Sequence, residues 1–421
     1  MIKKIIAGLC LLLSTVAFAQ ENNASPYSFY GVGDVKFKGT VENRSMGGLG
    51  ILPDSIHVNL QNPATYSALK FTTFAVGGTT SSTSLKTNDA SDTAGRTTLD
   101  YVAVALPFKK IGVAFGLMPY TSVGYRVSDS VSGGTDGLTR TRQFRGSGGL
   151  NRVFFGAAYK ITPQLSIGAE AQYNFGNIET RSVVGIPGVQ YATREINNSD
   201  YKGLGFNVGA TYQAVINKKY TWTLSAVYTP EVDLSGNTTR TTATITTSST
   251  GTEAVINQFA SDLVANDSKL PTKFTAGTGF GQVRSWFAGV EYTYQQSNSL
   301  GNRFDNLTTA AFKNSSKISL GGYFIPKYMS YTSYLSRVTY RAGLKYEKTG
   351  LVIAGQDIND MGVSLGAGLP LSGTIGGSNL NIGLEYGQRG TKKAGLVQEN
   401  YFSVFIGLSL NDKWFVKRRY E

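Results

Sequence analysis

The stretch Tyr401-Phe402-Ser403-Val404-Phe405-Ile406-Gly407-Leu408-Ser409-Leu410 decides the fold. Successive residues of an extended strand point to opposite faces. Phe402, Val404, Ile406, Leu408 and Leu410 therefore share one side, and Tyr401, Ser403, Phe405, Gly407 and Ser409 the other. The first side is continuous apolar surface, and the second is mostly small and polar. The same division holds for Leu204, Phe206, Val208, Ala210 and Tyr212 against Gly203, Gly205, Asn207, Gly209, Thr211 and Gln213. It holds again for Trp286, Ala288, Val290, Tyr292 and Tyr294, whose aromatic ends suit an interfacial girdle.

Runs of this kind recur fourteen times between residues 70 and 410, the first over 70–79 and the last over 400–410. Links such as 107–109, 161–163 and 281–283 are short, while those over 121–149, 176–201 and 231–269 are long. Strands that alternate apolar and polar, joined by short turns on one side and long loops on the other, describe a transmembrane barrel. Closure is required, because in lipid only a ring without edges satisfies every strand N–H and C=O. The expected fold class is all-β: an antiparallel transmembrane barrel of about 14 strands with an N-terminal plug. A soluble sandwich or propeller would bury the apolar sets between sheets and gives no reason for long loops to gather at one end.

Composition agrees with the ring. The 421 residues include 50 glycines and 24 tyrosines with only 16% charged residues. Past the N-terminus no run has the roughly 18 consecutive apolar residues of a membrane helix. Residues 1–19 read as a secretion signal: Lys3 and Lys4, an apolar stretch from Ile5 to Val16, then Ala17-Phe18-Ala19 at the cleavage site. Cys10, the single cysteine, lies inside that signal, so the exported chain has no thiol chemistry. Export and a barrel together place the chain in a Gram-negative outer membrane. An even strand count and short periplasmic turns put both termini in the periplasm. The net charge of +13 is scattered through turns and loops near anionic lipopolysaccharide and forms no stripe for nucleic acid.

The chain thus divides into the signal (1–19), an irregular segment (20–69), the barrel (70–410) and a basic periplasmic tail (411–421). The second part carries Gly31, Gly33, Gly39, Gly47, Gly48, Gly50, Pro53 and Pro63 among Tyr27, Phe29, Tyr30 and Phe37. It is too small and glycine-rich to fold alone, and is expected to fill the lumen as a plug.

Within it, Arg44-Ser45-Met46-Gly47-Gly48-Leu49-Gly50, then Leu52-Pro53-Asp54-Ser55, then Asn62-Pro63-Ala64 resemble the N-terminal signature of the FadL superfamily of outer-membrane proteins. That family has a glycine-rich element and an Asn-Pro-Ala tripeptide just ahead of strand 1 of 14. This chain departs from the first element by reading Gly-Gly-x-Gly after Met46. The opening Ser25 to Asp34 and the tail Lys413 to Tyr420 are similar to outer-membrane proteins of the Bacteroidetes. The resemblance implies passive uptake of long-chain fatty acids and other hydrophobic or amphipathic small molecules. One relative, PorV, is instead a non-transporting barrel of type IX secretion, and implies an accessory role beside other outer-membrane or periplasmic proteins.

Candidate site residues follow. Arg44, Gly47, Gly48, Asn62, Pro63 and Ala64 form the plug motif. Strand phase points Glu170, Glu291, Lys345 and Glu385 into the lumen, either as a filter or as a network holding plug to wall. Pro119, following Gly116, marks an edge, bulge or kink in strand 3, since proline cannot donate to the ladder. The resemblance makes this pair a lateral gate from lumen to bilayer; simple strand termination is the alternative. Val255, Ile256, Phe259 and Leu263 recur at helical spacing and predict an amphipathic helix over the mouth, as a landing site for apolar molecules, a lid or a partner surface. His57, the only histidine, stands in the plug, away from a wall position suited to a serine hydrolase. No catalytic residue, cofactor or metal site is expected. Asp54-Ser55-Ile56, Asp92-Thr93-Ala94 and Asp129-Ser130-Val131 fit a short O-glycosylation pattern of exported Bacteroidetes proteins.

Overall fold

The computed structural model describes residues 23–131, 137–248, 252–297, 310–371 and 377–414. The signal with Cys10, and the tail past Trp414, lie outside the described residues. The ring consists of β1 (Thr72–Lys86), β2 (Ser91–Phe108), β3 (Ile111–Pro119), β4 (Arg140–Lys160), β5 (Leu165–Gly185), β6 (Tyr191–Ile216) and β7 (Tyr220–Thr229). It continues through β8 (Lys273–Gln282), β9 (Trp286–Gln295), β10 (Ser315–Phe324), β11 (Thr339–Ile353), β12 (Gln356–Pro370), β13 (Asn379–Arg389) and β14 (Gln398–Asp412). Each pairs antiparallel with the next, and β14 returns to β1 from Thr72↔Asp412 to Lys86↔Gln398, which closes the ring. Among the described residues no helix is long and apolar enough to cross a membrane.

The outward sets are exposed as the alternation requires. Phe402 and Ile406 on β14, Leu204, Phe206 and Val208 on β6, and Val290 and Tyr292 on β9 all face out. Aromatic rows mark both rims: Tyr228, Phe274 and Tyr294 are cross-strand partners toward one end, and Trp222 with Phe280, or Trp286 with Phe324, toward the other. Such girdles are where amphipathic rings meet the membrane interface.

Most of the residues expected as long loops are strand. Thr121–Val131 continues beyond β3 on the same neighbour, β4, and β4, β5 and β6 are 21, 21 and 26 residues long. Val232–Thr247 adds to β6 and carries the short strands Glu253–Gln258, Asp262–Ala265 and Ser268–Leu270. These extensions are rich in Ser and Thr, which keep β propensity while erasing the apolar periodicity. The helix expected over 253–266 is corrected for the same reason. Val255 pairs with Ile245 and Leu263 with Thr239, so Val255, Ile256 and Leu263 lie on strands, and Phe259 in the connection between them. All four are exposed.

The N-terminal segment packs against inward-facing residues of the wall. Val41, Val58, Leu60, Tyr66 and Leu69 of this segment form one buried cluster with Ala103, Ala114, Phe154 and Phe405 of the wall. Fully burying each larger apolar side chain contributes about 1.5–3 kcal/mol. A second cluster, Val32, Val123, Tyr125, Leu150, Ile178 and Leu234, ties the segment to the extended strands above it.

Candidate functional site

Two elements of the N-terminal segment seat on the wall by backbone contact. The first is the turn after the one-turn helix α1 (Val41–Arg44), whose N-terminal Thr40 donates its hydroxyl to the Asn43 side chain at 2.9 Å. Gly47 and Gly48 follow at φ +70° and +88°, a region that favours glycine. The Gly47 amide donates to Ser364 Oγ at 2.9 Å and the Gly50 amide to Glu291 Oε2 at 2.9 Å. A Cβ on the wall residue Gly343 would lie 2.0 Å from the Gly47 nitrogen, so the approach needs glycine there.

The second element is Asn62-Pro63-Ala64. Asn62 caps the 3-10 turn Pro63–Ala68 by accepting the Ala64 amide at 2.9 Å, and its Nδ2 donates to Thr211 at 3.0 Å and Ser225 at 2.8 Å. Pro63 and Ala64 pack on Gly168 of β5.

Ion pairs complete the seating. Arg44 Nε donates to Glu385 Oε2 at 2.6 Å, Nη1 donates to Thr79 at 2.9 Å, and the guanidinium stacks over Phe405. Lys345 Nζ lies 2.7 Å from Glu385 Oε1 and 3.4 Å from Asp360. Lys38 pairs with Glu170 at 2.8 Å, and Tyr66 donates its hydroxyl to the same carboxylate at 2.7 Å. The four charges assigned to the lumen by strand phase thus all face inward, and three meet the N-terminal segment directly through Arg44, Lys38 with Tyr66, and the Gly50 amide.

His57 sits 2.7 Å from Asp54 through Nδ1, while Nε2 is 3.5 Å from Glu42 and makes no hydrogen bond. Burial opposes protonation of the imidazole, but the Asp54 and Glu42 carboxylates outweigh it and hold its pKa above the ordinary value. Among the described residues no group of three or more His, Cys, Asp or Glu is placed to hold a metal.

The wall is interrupted at Pro119. β3 pairs with β2 only from Phe108↔Ile111 to Val102↔Leu117, and Gly116 packs against the Val102 carbonyl within this ladder. Beyond Pro119 the chain continues as Thr121–Val131, paired with β4 and with the short strand Asp34–Val35 of the N-terminal segment. Among the described residues, β2 from Ser91 to Tyr101 pairs with β1 on one side and with no strand on the other. A seam therefore separates β2 from Thr121–Val131. Asn23 bridges it, accepting from Arg96 Nη1 at 2.8 Å and donating to the Ser122 carbonyl at 3.1 Å.

A cavity of about 610 Å³ lies against this seam, lined by Leu99, Tyr101, Leu117, Pro119 and Thr121 and by many charged groups. Asp34 pairs with Arg389 at 2.6 Å; Lys36, Arg44, Arg96, Asp100, Glu385 and Glu399 also face the cavity. Burial, with Arg96 close by, pushes the Lys36 ammonium down to about 7 against the pull of Asp34 and Asp100. Sequence reading missed Asp34, Lys36, Arg96, Asp100, Asp360, Arg389 and Glu399 as members of this site. Asp360 and Arg389 occupy the inward phase of β12 and β13, a signal the alternation already carried.

A closed ring of fourteen antiparallel strands, apolar outside and polar within, is a transmembrane β-barrel, and its fold is that of solved FadL-type barrels. The chain belongs to the BamG family, which it matches over residues 1–421. Among solved structures it is similar to a Pseudomonas aeruginosa FadL homologue (12% identity, TM-score 0.60, covering 90% of this chain and 98% of that one). It is also similar to the CymD monoaromatic hydrocarbon channel (14%, 0.57, 89% and 98%) and to the Pseudomonas putida toluene transporter TodX (16%, 0.55, 90% and 98%). Among curated proteins none matches.

Proposed function

We propose that this chain is an accessory barrel of an outer-membrane assembly or secretion complex, with both termini in the periplasm and residues 20–69 acting as a fixed plug. One observation carries the reading: the N-terminal segment is pinned to the wall through buried ion pairs, Arg44 to Glu385 and Lys38 to Glu170, and the cavity at the seam is lined by many charged groups. An apolar solute passing this way would desolvate those groups without giving them partners, which costs several kcal/mol. The extended strands Thr121–Val131, Leu165–Gly185, Tyr191–Ile216 and Val232–Thr247 add a surface that this reading assigns to a protein partner.

A second reading is passive uptake of a hydrophobic or amphipathic molecule, captured near the exposed Val255, Ile256, Phe259 and Leu263 and released sideways at Gly116 and Pro119. The seam beside Pro119 and the fold shared with the toluene transporter TodX favour it. Uptake measurements separate the two. Cells lacking this chain should take up labelled fatty acid and toluene at the wild-type rate if the barrel is accessory. A severalfold fall, reproduced by Pro119→Ala, would establish uptake and displace the accessory reading.

A further inference from the structure

We infer that the open edge of β2 at the seam is a strand-addition site for an extended polypeptide segment with the apolar-out, polar-in alternation of an outer-membrane strand. The inference rests on the accessory-barrel reading and names the partner that reading leaves open.

Two observations carry it. First, a strand that pairs on one side only presents a row of N–H and C=O groups, a template on which another chain builds a further strand. Among the described residues β2 does this from Ser91 to Tyr101, whereas the opposite lip is covered at its base, where Asp34–Val35 adds to Thr121–Ser122 and Ser28 Oγ accepts the Gly124 amide. At that base of the seam the free side belongs to β2. Second, the two faces of the seam differ as the two faces of a membrane strand do. Leu99, Leu117 and Val35 border the cavity and are exposed, while Arg96, Asp100, Lys36 and Asp34 line it half-buried. A strand laid along β2 would set its apolar residues beside Leu99 and toward lipid, and its polar residues over the cavity. The inner charges are of both signs, so hydroxyl and amide side chains suit them better than a run of one charge. A helix could not use the edge, and a uniformly apolar segment would cover Arg96 and Asp100 without pairing them.

The test is site-specific photocrosslinking with the full chain in its native outer membrane. p-Benzoylphenylalanine is introduced singly at Gly95, Thr97 and Leu99, alternate residues of β2, and at Val290 on the far wall as control; the crosslinked residues are identified by mass spectrometry. A Cβ at Gly95 meets no atom within 4 Å, so the probe is accommodated there. Strand addition predicts adducts at all three seam positions, at least tenfold above Val290, in an alternating segment of a barrel protein. The crosslinked residue in the partner should step by two for each two-residue step along β2. Adducts to lipid alone, or adducts whose position does not step with the probe, would overturn the inference. If a protein partner copurifies but crosslinks only away from the seam, the accessory reading stands and strand addition fails. If no partner copurifies and no protein adduct forms, both fail.

Discussion

Arg44 and Glu385 join the N-terminal segment to β13 at 2.6 Å, and Glu385 shares its second oxygen with Lys345. One wall carboxylate thus serves two cations, one from each side of the segment–wall boundary. Removing one partner of a buried pair typically costs about 3–5 kcal/mol, because the survivor stays buried and unpaired. Glu385→Gln leaves Arg44 without a carboxylate and Lys345 with only Asp360 at 3.4 Å, whereas Arg44→Gln leaves Glu385 still paired. Glu385→Gln should therefore lower the unfolding midpoint of the purified barrel in guanidinium by more than Arg44→Gln does. Equal losses would show that Lys345 does not share the carboxylate.

Asn62→Ala removes a cap worth about 1–2 kcal/mol and leaves Thr211 and Ser225 without the amide that joins them. Limited proteolysis should then cut within residues 55–70 while the heat-resistant band of the folded ring persists on a gel. Cleavage unchanged from wild type would deny Asn62 its seating role.

Gly343→Val places a side chain where the Gly47 nitrogen stands. The ring should still form, because the added residue suits a strand, but the Arg44–Gly50 turn should be displaced and its amides exchange with solvent. Full hydrogen-exchange protection of Gly47 and Gly50 in this variant would contradict the close approach.

The fold was legible because fourteen apolar faces leave a periodic trace, and the strands read from it overlap those of the ring one for one. What the trace missed has a physical cause. The threonines of Thr238–Thr244 keep to a strand but show no apolar side, so strands beyond the membrane read as loops. Val255, Ile256, Phe259 and Leu263 fell at helical spacing although Val255 and Ile256 are β-branched and favour strand. Inward charges were readable by phase on β5, β9, β11 and β13, and the same phase on β12 would have found Asp360. Of the partners from the N-terminal segment, Arg44 was read with the plug motif and pairs with Glu385, but Lys38 and Tyr66 were not readable, since an irregular chain has no phase.

His57 gives a pH signature. Its pKa is raised in the folded chain, so its contribution to stability is complete below the unfolded value near 6.5 and is lost as pH rises through the higher folded value. The stability difference between wild type and His57→Gln should be larger at pH 5.5 than at pH 9, measured as the shift in guanidinium midpoint. A difference independent of pH would mean that the imidazole is not charged beside Asp54.

The most direct test of the accessory role is native mass spectrometry of the tagged chain released from its outer membrane in mild detergent. A particle heavier than the barrel by at least one whole protein, in fixed ratio, is expected. A bare barrel, carrying only a small apolar molecule in the cavity beside Leu99 and Pro119, would contradict it.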